Sequence, residues 1–196
     1  MRSLHPPLPA SAPRNGGPAS RWIGRCVLRL GGWRVTGEFP DVERMIIIVA
    51  PHSSGWDAIW AIGLKLALGL DVAFMGKREL FRGPLGWLLR KLGGFPVNRA
   101  STEGVVEQVA ARYRAHPRLW VALAPEGTRR RVEHWKSGFW RIARAADVPV
   151  LCVYFHYPER IIGIGPLVQT TASLEDDMAR IRAFYAPWLG KRRGTL

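Results

Sequence analysis

The feature that most constrains this chain is a set of short apolar runs, several rich in Val and Ile, separated by segments with helical patterning. Met45 to Ala50, Val72 to Met75, Phe95 to Asn98, Leu119 to Ala124 and Val148 to Phe155 are continuous enough to be buried on both faces, as the strands of a parallel sheet are. Helical segments fall between them. Ser54 to Asp57 and Ser173 to Asp176 have the Ser-x-x-acid form of a capping box, and Ser101 stands where it can cap a helix running to Ala115. Alternating strands and helices predict a single α/β domain, a mainly parallel sheet flanked by helices, with its functional loops at the carboxyl ends of the strands. At 196 residues the chain has room for one such core, and no internal repeat argues for a second unit.

Outside that core the chain is basic. Lys and Arg number 29 against 15 Asp and Glu, a net charge of +14, which suits anionic partners: lipid headgroups, phosphorylated small molecules or nucleic acid. Nine tryptophans shift the expectation toward a membrane surface, where an apolar ring with a polar edge is at home. Trp22, Ile23, Cys26, Val27 and Leu30 recur at helical spacing with Arg21, Arg25 and Arg29 on another face, an N-terminal amphipathic helix that either packs on the domain or lies in a bilayer interface. Leu80, Phe81, Leu85, Trp87, Leu88, Leu89 and Leu92, broken by Arg82, Arg90 and Lys91, have the same options or form an acyl-chain wall.

Residues 1–20, rich in Pro, Ser, Ala and Gly, are expected to be a disordered tail without the apolar core of a signal peptide. The longest apolar candidate for a span, Ala58 to Leu70, is too short and carries Lys65. Cys26 and Cys152 lack metal-ligand spacing, so neither a zinc site nor a disulfide framework is expected.

The chemistry concentrates in Pro51-His52-Ser53-Ser54-Gly55-Trp56-Asp57, directly after an apolar strand. An imidazole there can take a proton from a hydroxyl, and a carboxylate on its other nitrogen would fix the tautomer. On a continuous helix five positions turn through roughly 500°, leaving His52 and Asp57 about 140° apart. The chain must therefore turn between them, with His52 in the loop and Asp57 in the first helical turn. Two further loops should share this rim: Gly94-Phe95-Pro96-Val97-Asn98-Arg99 and Pro125-Glu126-Gly127-Thr128-Arg129. Arg99 and Arg129 present forked donors suited to a phosphate, and Glu126 is placed to accept from a hydroxyl or to orient an arginine. Lys77, in Gly76-Lys77-Arg78-Glu79-Leu80, adds charge after a third strand.

Taken together and in this order, these segments resemble the blocks of the glycerolipid acyltransferase family that includes the lysophosphatidic acid acyltransferases. The likeness runs from about Ile46 to Val153. His52 to Asp57 is similar to the family's His-x4-Asp block, Gly94 to Arg99 to its second, Glu126 to Arg129 to its third, and Val148-Pro149-Val150-Leu151 to its fourth; Lys77, Glu79 and Leu80 match a Lys-x-Glu-Leu element. The resemblance implies a glycerol-3-phosphate acyltransferase-like fold over residues 21–196, with His52 as base and Asp57 as its orienting partner. It implies that Lys77, Arg99, Glu126, Gly127, Thr128 and Arg129 bind the acceptor.

It further implies direct transfer from acyl-CoA or acyl carrier protein to a lysophospholipid, with no metal, no cofactor and no acyl-enzyme. The expected acceptor is 1-acyl-glycerol-3-phosphate, giving phosphatidic acid. A lyso-aminolipid acceptor, or a non-catalytic role binding membranes or nucleic acid, stays open, although nucleic acid is not the expected partner. The expected location is peripheral, on the cytoplasmic face of an anionic membrane. Two departures, Cys152 in place of a second proline in the fourth block and Ala124 where an aromatic often precedes Pro125, leave acyl and acceptor preference undetermined.

Overall fold

A computed structural model describes residues 6–98 and 102–194. Among the described residues seven strands form one sheet: β1 (Arg34–Thr36), β2 (Arg44–Ala50), β3 (Val72–Lys77), β4 (Gly94–Val97), β5 (Leu119–Leu123), β6 (Val150–His156) and β7 (Ile161–Val168). Their order is β1-β7-β6-β2-β5-β3-β4. Every neighbouring pair is parallel except β6 with β7. The expected architecture, a mainly parallel sheet flanked by helices, is what forms.

The register explains why β2 reads as one apolar run. Ile46 lies between Val121 and Val150, and Ile48 between Leu123 and Cys152. Side chains alternate across the sheet, so Ile46, Ile48 and Ala50 join one core cluster while Met45 and Ile47 join the other. The first cluster includes Val109 and Tyr113 from α4 (Thr102–Ala115), Phe139 and Ile142 from α5 (Gly138–Ala146), and Ile181 and Tyr185 from α6 (Leu174–Tyr185). The second includes Leu28 from α1 (Pro18–Leu30) and Leu64 and Ala67 from α2 (Trp56–Leu68). Both faces of the central strands are thereby covered. Two phenols in this core meet main-chain carbonyls: the Tyr113 hydroxyl donates to Met45 O at 2.7 Å, and the Tyr185 hydroxyl to Ile48 O at 2.8 Å. Such pairing removes the penalty of burying a lone hydroxyl.

Several sequence expectations change. Strands β1 and β7 were not foreseen. Gly163, Gly165 and Pro166 break the pattern of β7, and the two glycines make room for rings: a Cβ at Gly163 would lie 2.0 Å from Tyr154 and one at Gly165 2.3 Å from Phe184. Residues 6–20 do not behave as a disordered tail. Ala12 is buried, the Asn15 amide donates to Gly69 O, the Asp71 amide donates to Pro13 O, and α1 already begins at Pro18. Composition registers the scarcity of large apolar side chains, whereas here main-chain pairing with the turn after α2 anchors the segment.

Gly55 stands at the N-cap position of α2, and the capping-box bonds form around it: Ser54 Oγ accepts from the Trp56 amide at 3.2 Å and Asp57 Oδ2 from the Ser54 amide at 2.9 Å. Ser173 does cap α6, accepting from the Asp176 amide. The proposed cap Ser101 lies outside the described residues. Of the apolar stripe on α1, Trp22, Ile23 and Leu30 are exposed, while Gly24 and Leu28 are the buried positions. Leu85, Trp87 and Leu88 of α3 (Gly83–Lys91) are exposed too. No helix among the described residues is long and apolar enough to cross a membrane.

Helices α1 and α2 touch through glycine. A Cβ at Gly24 would lie 2.2 Å from the Ala67 nitrogen and 2.6 Å from the Gly63 carbonyl oxygen, both backbone atoms that cannot swing aside. Gly24→Leu should therefore destabilise the protein by about 2 kcal/mol or more through overpacking, despite leucine's better helix propensity. The test is the urea midpoint at constant m-value; an unchanged midpoint would mean that this contact does not hold α1 in place.

Candidate active site

The loop from Pro51 to Gly55 joins the carboxyl end of β2 to the amino end of α2, and its turn solves the wheel problem set by the His-x4-Asp spacing. His52 Nδ1 lies 3.1 Å from Asp57 Oδ2. That same oxygen accepts from the amides of Ser53 and Ser54, each at 2.9 Å, so the carboxylate gathers the loop around itself. Oδ1 accepts from the Tyr157 hydroxyl at 2.5 Å. Asp57 is 2% exposed. Burial pushes its carboxyl up, but the hydrogen bonds from His52, Tyr157 and the Ser54 amide outweigh that and hold it below its ordinary value. The first turn of α2, with its unpaired amides and positive dipole end, favours the same anion.

A carboxylate can only accept, so the proton of the His52 ring sits on Nδ1 and the lone pair is left on Nε2. The His52 side chain is 26% exposed and lines a cleft of about 1050 Å³, at the upper end of what small-molecule pockets span. Its interior is apolar, with Phe39, Ile47, Val49, Ala61, Ile62 and Phe74 among the lining residues. Polar groups line the same cleft: Lys77, Thr128, Arg129, Lys136 and Ser137. This arrangement can deprotonate a hydroxyl held by an anionic head while an apolar tail lies inside.

Of the residues expected to bind an acceptor, Lys77, Gly127, Thr128 and Arg129 line this cleft, whereas Arg99 lies outside the described residues. Gly127 has φ +66°, which strains any side chain, and the Lys136 stem packs over it, 3.0 Å from where a Cβ would sit. Glu126 takes the second of its two expected roles, orienting an arginine, and is not among the residues that line the cleft. It is 1% exposed, and both of its oxygens are engaged within the protein: Oε1 accepts from the His52 amide at 2.8 Å and Oε2 from the Arg193 guanidinium. A buried carboxylate needs donors and a countercharge, and here they come from the chain itself. No residue of α3 lines the cleft, and the apolar run at 80–92 is not part of it; Ala58, Ala61, Ile62, Leu64 and Lys65 of α2 are.

Sequence reasoning missed Tyr157, Lys136 and Arg193. Tyr157 follows β6 directly, 100 positions from Asp57, and nothing in its neighbours marks it. Burial and the Asp57 carboxylate both push its phenol up, so it remains a neutral donor. Tyr157→Phe should lower stability at neutral pH by about 1.5–3 kcal/mol, the worth of a hydrogen bond to a charged group. Asp57 titrates below its ordinary value of 3.8 when folded, so this contribution is present above that pH and fades as pH falls through the folded value. Urea unfolding of both proteins should show the gap narrowing in acid. Because phenylalanine keeps the ring that packs on Trp33 at 4.9 Å, a gap independent of pH would mean that the bond to the Asp57 carboxylate does not carry the effect.

Comparison with known proteins fits this geometry. A family model described as Acyltransferase matches residues 33–156. A 1-acyl-sn-glycerol-3-phosphate acyltransferase of Streptococcus pneumoniae (strain ATCC BAA-255 / R6) is 28% identical over 131 residues, 66% of this chain and 48% of the relative. The chain thus spans about half the length of that relative. The crystal structure of the 1-acyl-sn-glycerophosphate (LPA) acyltransferase PlsC from Thermotoga maritima matches the fold with a TM-score of 0.64 at 20% identity, over 85% of this chain and 75% of that one.

Proposed function

The chain belongs to the acyltransferase family, and on that premise we propose that it moves a fatty acyl group from a thioester to the hydroxyl of a lysophospholipid. The acceptor we assign is 1-acyl-glycerol-3-phosphate, with phosphatidic acid as product. The observation that carries this reading is the His52–Asp57 pair, 3.1 Å apart, in a cleft lined by both apolar and basic side chains.

In this mechanism His52 Nε2 takes the proton of the acceptor hydroxyl as that oxygen attacks the thioester carbonyl. The imidazolium is stabilised by the buried Asp57 carboxylate. The tetrahedral oxyanion collapses, the carbon–sulfur bond breaks, and the thiolate recovers the proton from His52, giving an ester and a free thiol. No acyl-enzyme forms, and no metal or prosthetic group takes part. Arg129, Lys77 and Lys136, together with Arg99, take the phosphate of the acceptor; Gly127 and Thr128 shape the floor beneath it. The donor is acyl-CoA or acyl carrier protein. The protein works on the cytoplasmic face of an anionic membrane, held there by its positive charge and by exposed Trp22, Ile23, Leu30 and Trp56.

The test is thiol release from palmitoyl-CoA with and without lysophosphatidic acid, with mass spectrometry of the lipid. Acceptor-dependent release with formation of phosphatidic acid supports the reading. Release with a lyso-aminolipid but not with lysophosphatidic acid overturns the assigned acceptor, and no turnover with CoA or carrier-protein thioesters of any chain length overturns acyl transfer.

A further inference from the structure

After α6 the chain turns back across the catalytic loop. Trp188 stacks on Tyr154 with ring centroids 3.7 Å apart, and Leu189 O accepts from the Tyr157 amide at 2.9 Å. Leu189 and Gly194 then pair across a short turn, within which the Gly190 amide donates to Arg193 O. This turn rests on residues 51–56. A Cβ at Gly190 would lie 2.6 Å from Ser53 Oγ and 3.2 Å from Pro51 Cβ, the Arg192 amide donates to Ser53 Oγ at 3.3 Å, and Lys191 Nζ sits 5.0 Å from the Trp56 ring centroid.

The turn delivers one cation into the interior. The Arg193 guanidinium donates to Glu126 Oε2 and to the Arg130 carbonyl at 2.6 Å, and its side chain is only 17% exposed. Through its other oxygen Glu126 holds the amide of His52. The connection therefore runs from Arg193 through Glu126 to the backbone of the histidine, and it also ties the loop that carries Arg129 and Arg130 to the same point.

We propose that Arg193 is a positioning residue for His52, acting through Glu126 and setting the catalytic loop and the loop at 126–131 in register. Without its countercharge the buried Glu126 carboxylate must draw in water or another cation, and its geometry toward the His52 amide is lost. The imidazole then leaves its alignment with Asp57, and small misplacement of a reacting group is enough to slow chemistry strongly. The guanidinium meets Glu126 and Arg130 through Nη2 while its Nη1 donates to Gly194 O at 2.9 Å, a span of two nitrogens that the single nitrogen of an ammonium does not cover.

The inference rests on His52 being the base, so its test has a readout that does not depend on turnover. In Arg193→Ala, hydrogen exchange at the His52 amide should quicken by about tenfold or more while the β2 amides before it stay protected. In the acyl-transfer assay the same variant should lose roughly 10- to 100-fold in kcat with KM for the thioester little changed. Added guanidinium ion should restore part of that loss, Arg193→Lys should restore less, and neither His52→Ala nor Asp57→Asn should respond to guanidinium. In a Glu126→Gln background, Arg193→Ala should add little, because the route through the carboxylate is already cut.

Unchanged His52 exchange in Arg193→Ala overturns the proposal. So does faster exchange spread evenly over β2, which would make Arg193 a contributor to global stability, and so do independent effects of Arg193 and Glu126. If the wild type transfers no acyl group at all, the functional reading fails and the exchange experiment alone judges the link from Arg193 to His52.

Discussion

His52→Ala should lose ~10² to 10⁴-fold in turnover, the range over which a positioned general base contributes, with the fold retained. The argument for retention is local. The His52 side chain is 26% exposed and its one described polar contact is with Asp57, while the backbone bond from its amide to Glu126 survives truncation to alanine. Asp57 keeps the Ser53 and Ser54 amides and the Tyr157 hydroxyl as donors, so the buried charge is not orphaned. Circular dichroism and the urea midpoint should stay near the wild-type values while acceptor-dependent thiol release falls. Turnover within about threefold of wild type would remove His52 from the mechanism.

Asp57→Asn should cost a comparable factor, up to ~10⁴-fold in kcat, as loss of the orienting carboxylate does where a histidine base depends on one. Here the effect on folding is also expected. The wild-type carboxylate accepts from four donors: the Ser53 and Ser54 amides, His52 Nδ1 and the Tyr157 hydroxyl. An asparagine has one acceptor oxygen and a donating amide group, so one side of the site must face donor against donor or rearrange. If the oxygen stays with the two loop amides, the amide group meets Tyr157, whose hydroxyl can turn to accept. His52 then loses the charge that stabilises its protonated form.

The variant should therefore be less stable than wild type by about 1–3 kcal/mol at neutral pH. Because the Asp57 carboxyl is held below 3.8 in the folded protein, that difference should shrink as pH falls through the folded value, where the wild-type group too becomes neutral. Rates must be referred to folded protein in each case. An Asp57→Asn enzyme with near wild-type kcat would show that the carboxylate serves only to fold the loop, which its bonds to Ser53 and Ser54 already do.

Several residues were legible in advance because their signals are local. The Val and Ile runs announced the central strands β2, β5 and β6, whose neighbours on both sides exclude water, and the carboxyl ends of strands pointed to the loops that carry His52, Glu126 and Arg129. The turn between His52 and Asp57 followed from the wheel alone. Less was readable where glycine does the packing. Gly163 and Gly165 look like interruptions in a strand, yet the rings of Tyr154 and Phe184 fill the space they leave. Residues 6–17 read as tail because the hydrogen bonds that anchor them are main-chain bonds, to which side-chain composition is blind.

By itself, then, the amino-acid sequence determined the alternation of strands and helices, the burial of the central strands on both faces, and the pairing of an imidazole with a carboxylate at the start of α2. Those properties depend on periodicity and on spacings of a few residues. Only the tertiary structure decided what surrounds that pair: Tyr157 on the far oxygen of Asp57, 100 positions away, and Arg193 on Glu126, 67 positions away. It also decided that Glu126 joins the His52 amide to the Arg193 guanidinium. A buried charge takes its partners from whichever chain segments the fold brings within hydrogen-bonding distance, and sequence separation carries no record of that distance until the sheet has been assembled.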